Sequence, residues 1–515
     1  MVVKEMDDCS AGAGENLKSE SGRDEAQDRA ELEPLLSGSL MLEEAKQVFL
    51  YAWPVVASYF LMMTLPIVCL FFVGQISEAA LAGAGLSLMF QNLTGTSILV
   101  GLASGLETFA SQLYGAGEYR LVGVCLQRSI FILGISTIPT AVSWWFAGEI
   151  LGACGIGEDM TVIIGPFMKI MILMLPGLAL MECFKRYLHA QGIMSPVFHV
   201  SIVVNFIHVA CLYVLVELDV FGLGVLGAAV TMVISNTASA VILALYAWCL
   251  GLHKQTWYGW TWECTRGCWE YLQVALPGLG MLCLEWWSFE IITLFAGRFG
   301  TSAVAAQTVL FNTVAIFYMI PLGIGIAATT RVGNALGAGN SIAAKRTGIV
   351  SLLFACTSTV LCTVVFALHP REWAGMFSNQ EQVVTLVISV LPIQACFFVS
   401  DSAAGIFSGI IRGAGRQHVG FGLNLIAFYI VAIPLALLLG FHFNLELPGL
   451  WYGLAAGSFT QSGGLGLYVC CVSWAGLASS AAQRVAKQQE QSAETRPDAG
   501  GAAERDNQVL LQNAV

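Results

Sequence analysis

Residues 47–73 read QVFLYAWPVVASYFLMMTLPIVCLFFV and contain no charged side chain. A helix rises about 1.5 Å per residue, so this stretch is long enough to cross the ~30 Å hydrocarbon core of a bilayer. Eleven further apolar stretches of similar length follow it. The sequence therefore predicts an all-α membrane protein with twelve transmembrane helices, at 47–73, 80–112, 122–146, 161–184, 196–216, 222–250, 271–297, 303–329, 348–368, 382–411, 418–440 and 449–475.

The composition of the whole chain agrees with a protein embedded in a lipid bilayer. Charged residues make up 11% of the 515 residues and hydrophobic residues 57%, whereas soluble domains carry roughly 25% charged residues. So few charges cannot cover a water-facing surface of this size, which excludes an ordinary soluble enzyme and a disordered chain. The scattered Cys residues show no metal-binding or disulfide spacing, and we expect no enzyme activity, metal, cofactor or nucleic-acid partner.

Two polar tails flank the predicted helices. Residues 1–45 are acidic and lack aromatic side chains, which predicts a disordered tail. Residues 476–515 predict a second disordered tail, with no further helix after residue 475. Between the tails we expect a first lobe at 46–250, a linker at 251–270 and a second lobe at 271–475. The four Trp residues of the linker predict an amphipathic segment at the membrane interface.

The first tail contains a pattern that resembles an acidic dileucine sorting signal. Glu31 precedes the Leu35-Leu36 pair by four residues. Such a signal would bind a sorting adaptor through the segment from Glu31 to Leu36 and favours a vacuolar or endolysosomal membrane. So short a pattern also arises by chance in an acidic tail, and the plasma membrane is the alternative location.

The basic residues of the loops predict the orientation of the chain. With the N-terminus in the cytoplasm, the odd-numbered loops carry Arg298 and Arg371, and the even-numbered loops fall on the cytoplasmic side. This asymmetry, ten basic residues against two, follows the positive-inside rule and places both tails in the cytoplasm. The ten are Arg120, Lys185, Arg186, Lys254, Arg266, Arg331, Lys345, Arg346, Arg412 and Arg416.

Two glycine-containing turns recur in the second half of the chain. Gly115-Ala-Gly117 after the second helix matches Gly337-Ala-Gly339 after the eighth, 222 residues later, and the turn at 189–192 matches that at 412–415. The repeat predicts two pseudo-symmetric six-helix bundles of the same orientation. Parallel repeats of this kind are typical of transporters, whose substrate path lies between or within the repeats.

Charged side chains inside the predicted helices identify candidate functional residues, because a charge at the bilayer centre costs at least ~2.5–3.5 kcal/mol. Glu285 and Glu290 lie on different faces of the seventh helix, and Asp401 lies in the middle of the tenth. Four others fit structural roles near helix ends or, for Lys169, have no assigned role. These four are Glu107, Arg128, Lys169 and Glu182.

Carboxyl groups held away from water favour their protonated form. Two such acids in one lobe could therefore release H⁺ when an organic cation binds and take H⁺ up when it leaves. Nearby aromatic rings could hold the face of the cation, although packing against lipid or core is the alternative role for them. These rings belong to Trp286, Phe289, Phe311 and Tyr318.

Six short motifs are spread over residues 46–475. They are Leu-Glu-Trp-Trp-Ser-Phe-Glu at 284–290, Tyr-Met-Ile-Pro at 318–321, Thr-Arg-Val-Gly-Asn at 330–334, Gly-Leu-Glu-Thr at 105–108, Leu-Gln-Arg-Ser at 126–129 and Arg-Gly-Ala-Gly at 412–415. With these motifs the chain resembles the multidrug and toxic compound extrusion (MATE) family in its eukaryotic branch, with plant-type and vertebrate-like features.

The resemblance implies a V-shaped pair of six-helix bundles and export of organic cations or varied metabolites, coupled to H⁺ rather than Na⁺. It implies that Glu285 and Asp401 are the coupling acids and that Glu290 shapes the potential of the cavity. The family's Asn on the second helix is kept here as Asn92. We expect a substrate-contacting or gating group made of Asn92, Trp286, Phe289, Phe311, Asn312 and Tyr318.

Two departures from the family pattern leave the coupling mechanism open. Cys69 occupies the position at which many prokaryotic members carry an Asp, and Asn312 occupies the position of a Glu in vertebrate members. The alternatives to cation export are an exporter of organic anions such as citrate or conjugates, a lipid flippase of a related fold, and a membrane receptor without transport. An anion exporter would need a basic cavity, for which Lys169 is the candidate.

Overall fold

The computed structural model describes residues 38–493, and those residues contain helices and connecting loops but no β-strand. Twelve long helices, α1–α12, run through the chain, and a helix α13 follows them. Their bounds are Gly38–Gly74, Glu78–Gly115, Tyr119–Trp145, Glu158–Ala190, Ser195–Glu217, Val225–Cys249, Cys268–Phe299, Thr301–Gly337, Ser341–Leu368, Glu381–Ala414, Gln417–His442, Glu446–Cys471 and Trp474–Ala493.

The predicted all-α membrane fold is confirmed. In residues 38–493, α1–α11 are long and apolar enough to cross a membrane, and α12 together with α13 gives a twelfth candidate span. An 87° bend separates α12 from α13. Because α1–α12 run through apolar sequence and satisfy their backbone hydrogen bonds internally, they meet the main requirement of a chain that crosses lipid.

The prediction was wrong at the edges of the two tails. Residues 38–45 belong to α1 and residues 476–493 belong to α13, so neither segment is a disordered tail. Helix formation at 38–45 follows from Val48 and Ala52 packing into a core one turn further on, which holds the preceding residues in place. The sorting-signal segment from Glu31 to Leu36 lies outside the described residues.

The linker between the lobes is mostly irregular rather than a continuous amphipathic helix. It contains one 3₁₀ turn at Trp262–Thr265 and ends where α7 begins at Cys268. Trp260, Trp262 and Trp269 are exposed, whereas Trp257 is half-buried against Trp260. Exposed Trp side chains in a loop between two membrane-spanning helices suit the headgroup region of a bilayer.

Helices α1 and α7 each divide their packing between two cores. Cys69 and Val73 of α1 lie in the core of the first lobe, whereas Val48 and Ala52 pack with α8, α9 and α10. In α7 the arrangement is reversed: Tyr271 lies in the first-lobe core, and further along the helix the buried side chains join the second. These two helices therefore tie the lobes together.

The two lobes meet most closely where α2 crosses α8. A Cβ atom added to Gly115 would lie 2.0 Å from the carbonyl oxygen of Asn334, and one added to Gly337 would lie 2.1 Å from that of Gln112. These four residues are two pairs separated by 222 positions, so the contact is reciprocal, as a pseudo-two-fold repeat requires. Small residues of this kind allow helix backbones to approach closely in a membrane.

Hydrogen bonds and an ion pair reinforce the same end of the molecule. Thr108 Oγ1 donates to the Arg412 carbonyl oxygen at 2.7 Å, and Gln112 Nε2 donates to that of Gly413 at 2.8 Å. Arg331 donates two bonds of 2.7 Å to the Glu44 carboxylate. We call this end, which carries the loops rich in Arg and Lys, the basic end. The charge pattern predicts it to be cytoplasmic.

The predicted structural roles of Glu107, Glu182 and Arg128 agree with their partners. Arg186 Nη1 lies 2.8 Å from Glu107 Oε2, and Lys185 Nζ lies 2.5 Å from Glu182 Oε1, so these buried charges are paired inside the first lobe. Arg128 Nη1 donates to Gln488 Oε1 of α13 at 2.6 Å. Pairing offsets the cost of burying each charge.

Replacing Gly115 with Ala should weaken closure of the basic end. The new methyl group would collide with the backbone of α8, and a forced collision of this kind costs roughly 1–3 kcal/mol. We expect a lower melting temperature of the detergent-purified protein. Gly134→Ala on α3 is the matched control, because an added Cβ there has open space. Equal melting temperatures for the two variants would contradict the proposed crossing.

Candidate functional site

Glu285 lies on α7 within a small network of amide side chains from α11 and α12. Its Oε2 accepts hydrogen bonds from Gln461 Nε2 at 3.1 Å and from Asn424 Nδ2 at 3.4 Å. Gln461 Nε2 also donates to Asn424 Oδ1 at 3.0 Å, and Asn424 Nδ2 donates to the Met281 carbonyl oxygen at 2.8 Å. Three helices therefore fix the position of this half-buried carboxyl group.

Asp401 lies on α10 and is 3% exposed. Within residues 38–493 its side chain has neither a hydrogen-bond nor an ion-pair partner. Glu285 and Tyr318 are the groups whose charges interact with it most directly. A Cβ atom added to Gly405, one turn along α10 from Asp401, would lie 3.3 Å from the Tyr318 hydroxyl oxygen. The two acids and this phenol thus form one cluster.

Small residues on α10 near Asp401 pack tightly on α8. A Cβ atom added to Gly409 would lie 2.4 Å from the Gly325 carbonyl oxygen, and Thr329 Oγ1 donates to the Gly409 carbonyl oxygen at 2.9 Å. The backbones of the two helices are therefore in direct contact at this point. This contact fixes the position of Asp401 along the helix axis relative to Tyr318.

The acid cluster lies further from the basic end than a close contact between α2 and α7. Gly101 of α2 packs on Leu279 of α7, where an added Cβ would lie 2.6 Å from the Leu279 Cα. Glu285 is six residues further along α7, a rise of about 9 Å. Trp286, the next residue, is 38% exposed. Glu285 therefore lies about two turns beyond this contact, on the side away from the basic end.

The predicted substrate-contacting residues differ in how far their side chains are exposed. Asn92, Phe311 and Asn312 are exposed, and Tyr318 is half-buried within the acid cluster. Phe289 is buried and packs edge-on against Phe311, with ring centroids 6.0 Å apart. In this conformation Phe289 packs in the core of the second lobe, which is the alternative role that the sequence left open for this ring.

Asn92 marks a local irregularity in α2. The helix widens into a π turn at Asn92–Thr96, a feature found frequently at functional sites. Trp144 of α3 fills the space beside Gly95, since a Cβ added there would lie 2.3 Å from its ring, and its Nε1 donates to Thr94 Oγ1 at 2.9 Å. This packing holds the π turn that carries Asn92 at an exposed position.

Two charged residues lie apart from the amide network. Glu290 on α7 is half-buried and has no hydrogen-bond or ion-pair partner within the described residues. Lys169 is exposed on α4, and its Nζ lies 5.1 Å from the centroid of the Trp145 ring. This cation–π contact gives Lys169 a local partner in the first lobe.

The corresponding region of the first lobe is built from neutral groups. Cys69 is buried in the core. Nearby, Asn205 Nδ2 donates to the Leu61 carbonyl oxygen at 3.0 Å, and His208 Nδ1 lies 2.8 Å from Ser235 Oγ. The carboxylate cluster thus lies in the second lobe, where the sequence predicted it.

Asn424 and Gln461 were not predicted as site residues. Each is a single amide side chain inside an apolar run, at 418–440 and 449–475. Such polar residues are expensive in a membrane and usually find a partner, which is the signal that could have identified them. The sequence does not reveal that the partner is Glu285, because that depends on how α7, α11 and α12 pack.

These features define a class of protein: a multi-pass helical membrane protein with two repeated lobes and a cluster of acids inside the second lobe. The chain belongs to the MatE family, whose family model matches residues 54–214 and again 277–438. Members of this family are transporters. The two matched segments correspond to the two halves predicted from the glycine turns.

Relatives extend over most of the chain. Protein DETOXIFICATION 16 of Arabidopsis thaliana is 34% identical over 449 residues, covering 87% of this chain and 92% of that protein. Multidrug and toxin extrusion protein 2 of Mus musculus is 34% identical, covering 86% and 77%. A crystal structure of the eukaryotic MATE transporter AtDTX14 is 31% identical with a TM-score of 0.82, covering 86% and 99%.

Replacing Gln461 with Leu should destabilise the protein through Glu285. The change leaves Asn424 Oδ1 without a donor and the Glu285 carboxylate with only the 3.4 Å bond from Asn424 Nδ2, and an unsatisfied buried group costs roughly 1–3 kcal/mol. In the double variant with Glu285→Gln the loss should be smaller than the sum of the single losses. Thermal unfolding in detergent measures all three.

Ser462→Ala is the matched control for this cycle. Its hydroxyl lies 2.7 Å from Ser400 Oγ and does not contact Glu285, so its effect should add independently to that of Glu285→Gln. Additive effects for Gln461→Leu as well would show that the amide network is not coupled to the acid.

Proposed function

We propose that this protein is a secondary active transporter that exchanges H⁺ for organic cations by alternating access. The observation that carries the proposal is the presence in one lobe of two acids without a basic partner: Glu285, held by two amide side chains, and the buried Asp401. This arrangement supports exchange, since both H⁺ and a cation can neutralise the same two acids.

The electrostatics of the pair favour one bound proton. Two carboxylates in one site away from water repel each other, so a proton bound to either one relieves that repulsion. An organic cation near Trp286 and Tyr318 would stabilise the doubly charged pair and so promote proton release. Loss of the cation would favour reprotonation. Neither ligand is favoured while the other is bound, which is the requirement for exchange.

The closed basic end supports the alternating-access part of the proposal. With the orientation predicted from the loop charges, the closed basic end faces the cytoplasm. In the exchange cycle, protons entering from the opposite side would displace the cargo. One pH unit contributes about 1.36 kcal/mol, so exchange of one H⁺ for one monovalent cation would concentrate cargo roughly tenfold per pH unit.

The acid site favours cations over the alternative anionic cargo. Lys169, the basic candidate for an anion site, lies over Trp145 of the first lobe, whereas the cluster at Glu285 and Asp401 is acidic. The names of the relatives, which refer to detoxification and to multidrug and toxin extrusion, support xenobiotics or secondary metabolites as the cargo class of this chain.

Replacing Glu285 with Gln should abolish proton-driven uptake. Proteoliposomes with an imposed pH step and a fluorescent organic cation outside should accumulate the dye with the wild type. Glu285→Gln and Asp401→Asn should each reduce the initial rate at least tenfold, because the neutral amide can neither release a proton nor attract a cation. Uptake should persist when Na⁺ is replaced by choline.

Lys169→Gln serves as the control and should transport the dye at nearly the wild-type rate. Thermal unfolding should show that all variants remain folded. Equal uptake with and without the pH step, or unchanged coupling in Glu285→Gln, would contradict proton exchange at this site. Loss of uptake on removal of Na⁺ would instead assign Na⁺ as the coupling ion.

We further propose that a sorting adaptor reads the segment from Glu31 to Leu36 and directs the protein to an acidic vacuolar or endolysosomal membrane. There the acid lumen would drive sequestration of cargo. Changing both Leu35 and Leu36 to Ala should move a fluorescently tagged protein to the plasma membrane. Imaging beside membrane markers measures the change.

Leu32→Ala, within the same segment but outside the dileucine pair, should leave the location unchanged. If the double variant stays at the same location as the wild type, the Leu35-Leu36 pair does not act as a sorting signal. Plasma-membrane residence of the wild type would contradict the proposed location.

A further inference from the structure

Helix α13 lies against the basic ends of both lobes. It follows α12 after a short turn and an 87° bend. Leu477 and Ala481 pack into the core formed by α1, α8, α9 and α10, whereas Val485, two turns from Leu477, packs into the core of the first lobe. One apolar face of a single helix therefore spans the junction between the lobes.

Arg484 bridges the junction with one side chain. Its Nε donates to Gln112 Oε1 of α2 at 2.9 Å, and its Nη2 donates to the Ala414 carbonyl oxygen at the end of α10 at 2.7 Å. The planar guanidinium presents its donors in a fixed fork, so both bonds form together only while α2 and α10 keep this spacing.

Further polar contacts divide between the two sides. Toward the second lobe, Arg416 Nη2 donates to Ser480 Oγ at 3.0 Å. Toward the first lobe, Gln488 accepts from Arg128, and Ser492 Oγ accepts from Arg120 Nη1 at 2.7 Å. The half of α13 nearer α12 thus binds the second lobe, and the far half binds the first.

We propose that α13 is a conformational latch that holds the basic end closed and that must release the first lobe before this end can open. The proposal rests on the alternating-access part of the proposed function and is independent of cargo and coupling ion. Separation of α2 from α10 would break the Arg484 bridge, so the latch opposes that separation directly.

The first lobe is the side that α13 releases. Helix α13 is attached to the second lobe covalently through α12 and by the buried side chains of Leu477 and Ala481. The same helix is attached to the first lobe by Val485 and by polar contacts, which water can replace at modest net cost. Less free energy is therefore lost when the far half of the helix detaches.

Replacing Arg484 with Ala should shift the protein toward the form open at the basic end. Spin labels on genetically encoded residues at positions 254 and 338 avoid the fifteen native Cys residues. Both positions are exposed. Position 254 lies in the linker, five residues after α6 of the first lobe ends, and position 338 directly follows α8 of the second lobe. Pulsed dipolar spectroscopy in nanodiscs, without cargo or pH gradient, should show the long-distance population rise roughly tenfold, since the two lost bonds involve a charged donor.

Lys487→Ala is the matched control, because it removes the same charge from the same helix. Lys487 Nζ lies 3.2 Å from Glu270 Oε1 in an exposed ion pair, which is worth little, and it makes no bond to α10. The distance distribution of this variant should match the wild type. Gln483→Ala, at an exposed position that has no polar partner in the described part of the chain, controls for helix stability.

Gln488→Ala is a second test that leaves Arg484 in place. It removes the bond to Arg128 and should raise the long-distance population to a smaller extent. If Arg484→Ala does not fold, this variant decides the question alone. An unchanged distance distribution in the folded variants, or an equal shift in Lys487→Ala, would overturn the latch. Failure of proton-driven uptake in the earlier assay would leave these distances unaffected.

Discussion

The structure depends on the close approach of two backbones at the basic end. Gly115 packs on the carbonyl oxygen of Asn334, and Gly337 packs on that of Gln112, so neither position has room for a Cβ atom. Because the contact is reciprocal, the symmetry of the repeat and the closure of the molecule have the same physical origin. The hydrogen bonds from Thr108 and Gln112 to α10 then add directionality to the contact.

The packing of the lobes at the basic end determines where in the molecule an acid can take part in proton exchange. Between the basic end and the contact of Gly101 with Leu279 the lobes are packed, and a carboxylate there would need a permanent partner, as Glu107 has in Arg186. Glu285 lies on the other side of this contact and is held by neutral amides rather than by a cation. An amide network stabilises a carboxylate without fixing its charge, which leaves the group free to exchange a proton.

The sequence predicted what depends on local composition and failed where packing decides. Twelve apolar runs, the glycine turns and the acids at 285 and 401 could be identified because charge and glycine are expensive or distinctive in a membrane helix. The partners of Glu285 could not, since Asn424 and Gln461 approach it through the mutual rotation of three helices. Helix α13 was assigned to a polar tail because only a narrow stripe, including Leu477 and Val485, is apolar, and its docking partners lie hundreds of residues away.

Helix α7 connects the closure to the acid site. The Tyr271 hydroxyl accepts from the Leu106 amide and donates to the Leu102 carbonyl oxygen, both at 3.0 Å, so the start of α7 is fixed to α2 of the first lobe. Four turns later the same helix carries Glu285 into the second lobe. A helix with intact backbone hydrogen bonds bends only at defined points, and Pro277 provides one between the two positions. Separation of the lobes therefore has to bend α7 at that point or move Glu285 relative to Asp401, and either outcome makes the environment of the acid pair depend on which end of the molecule is open.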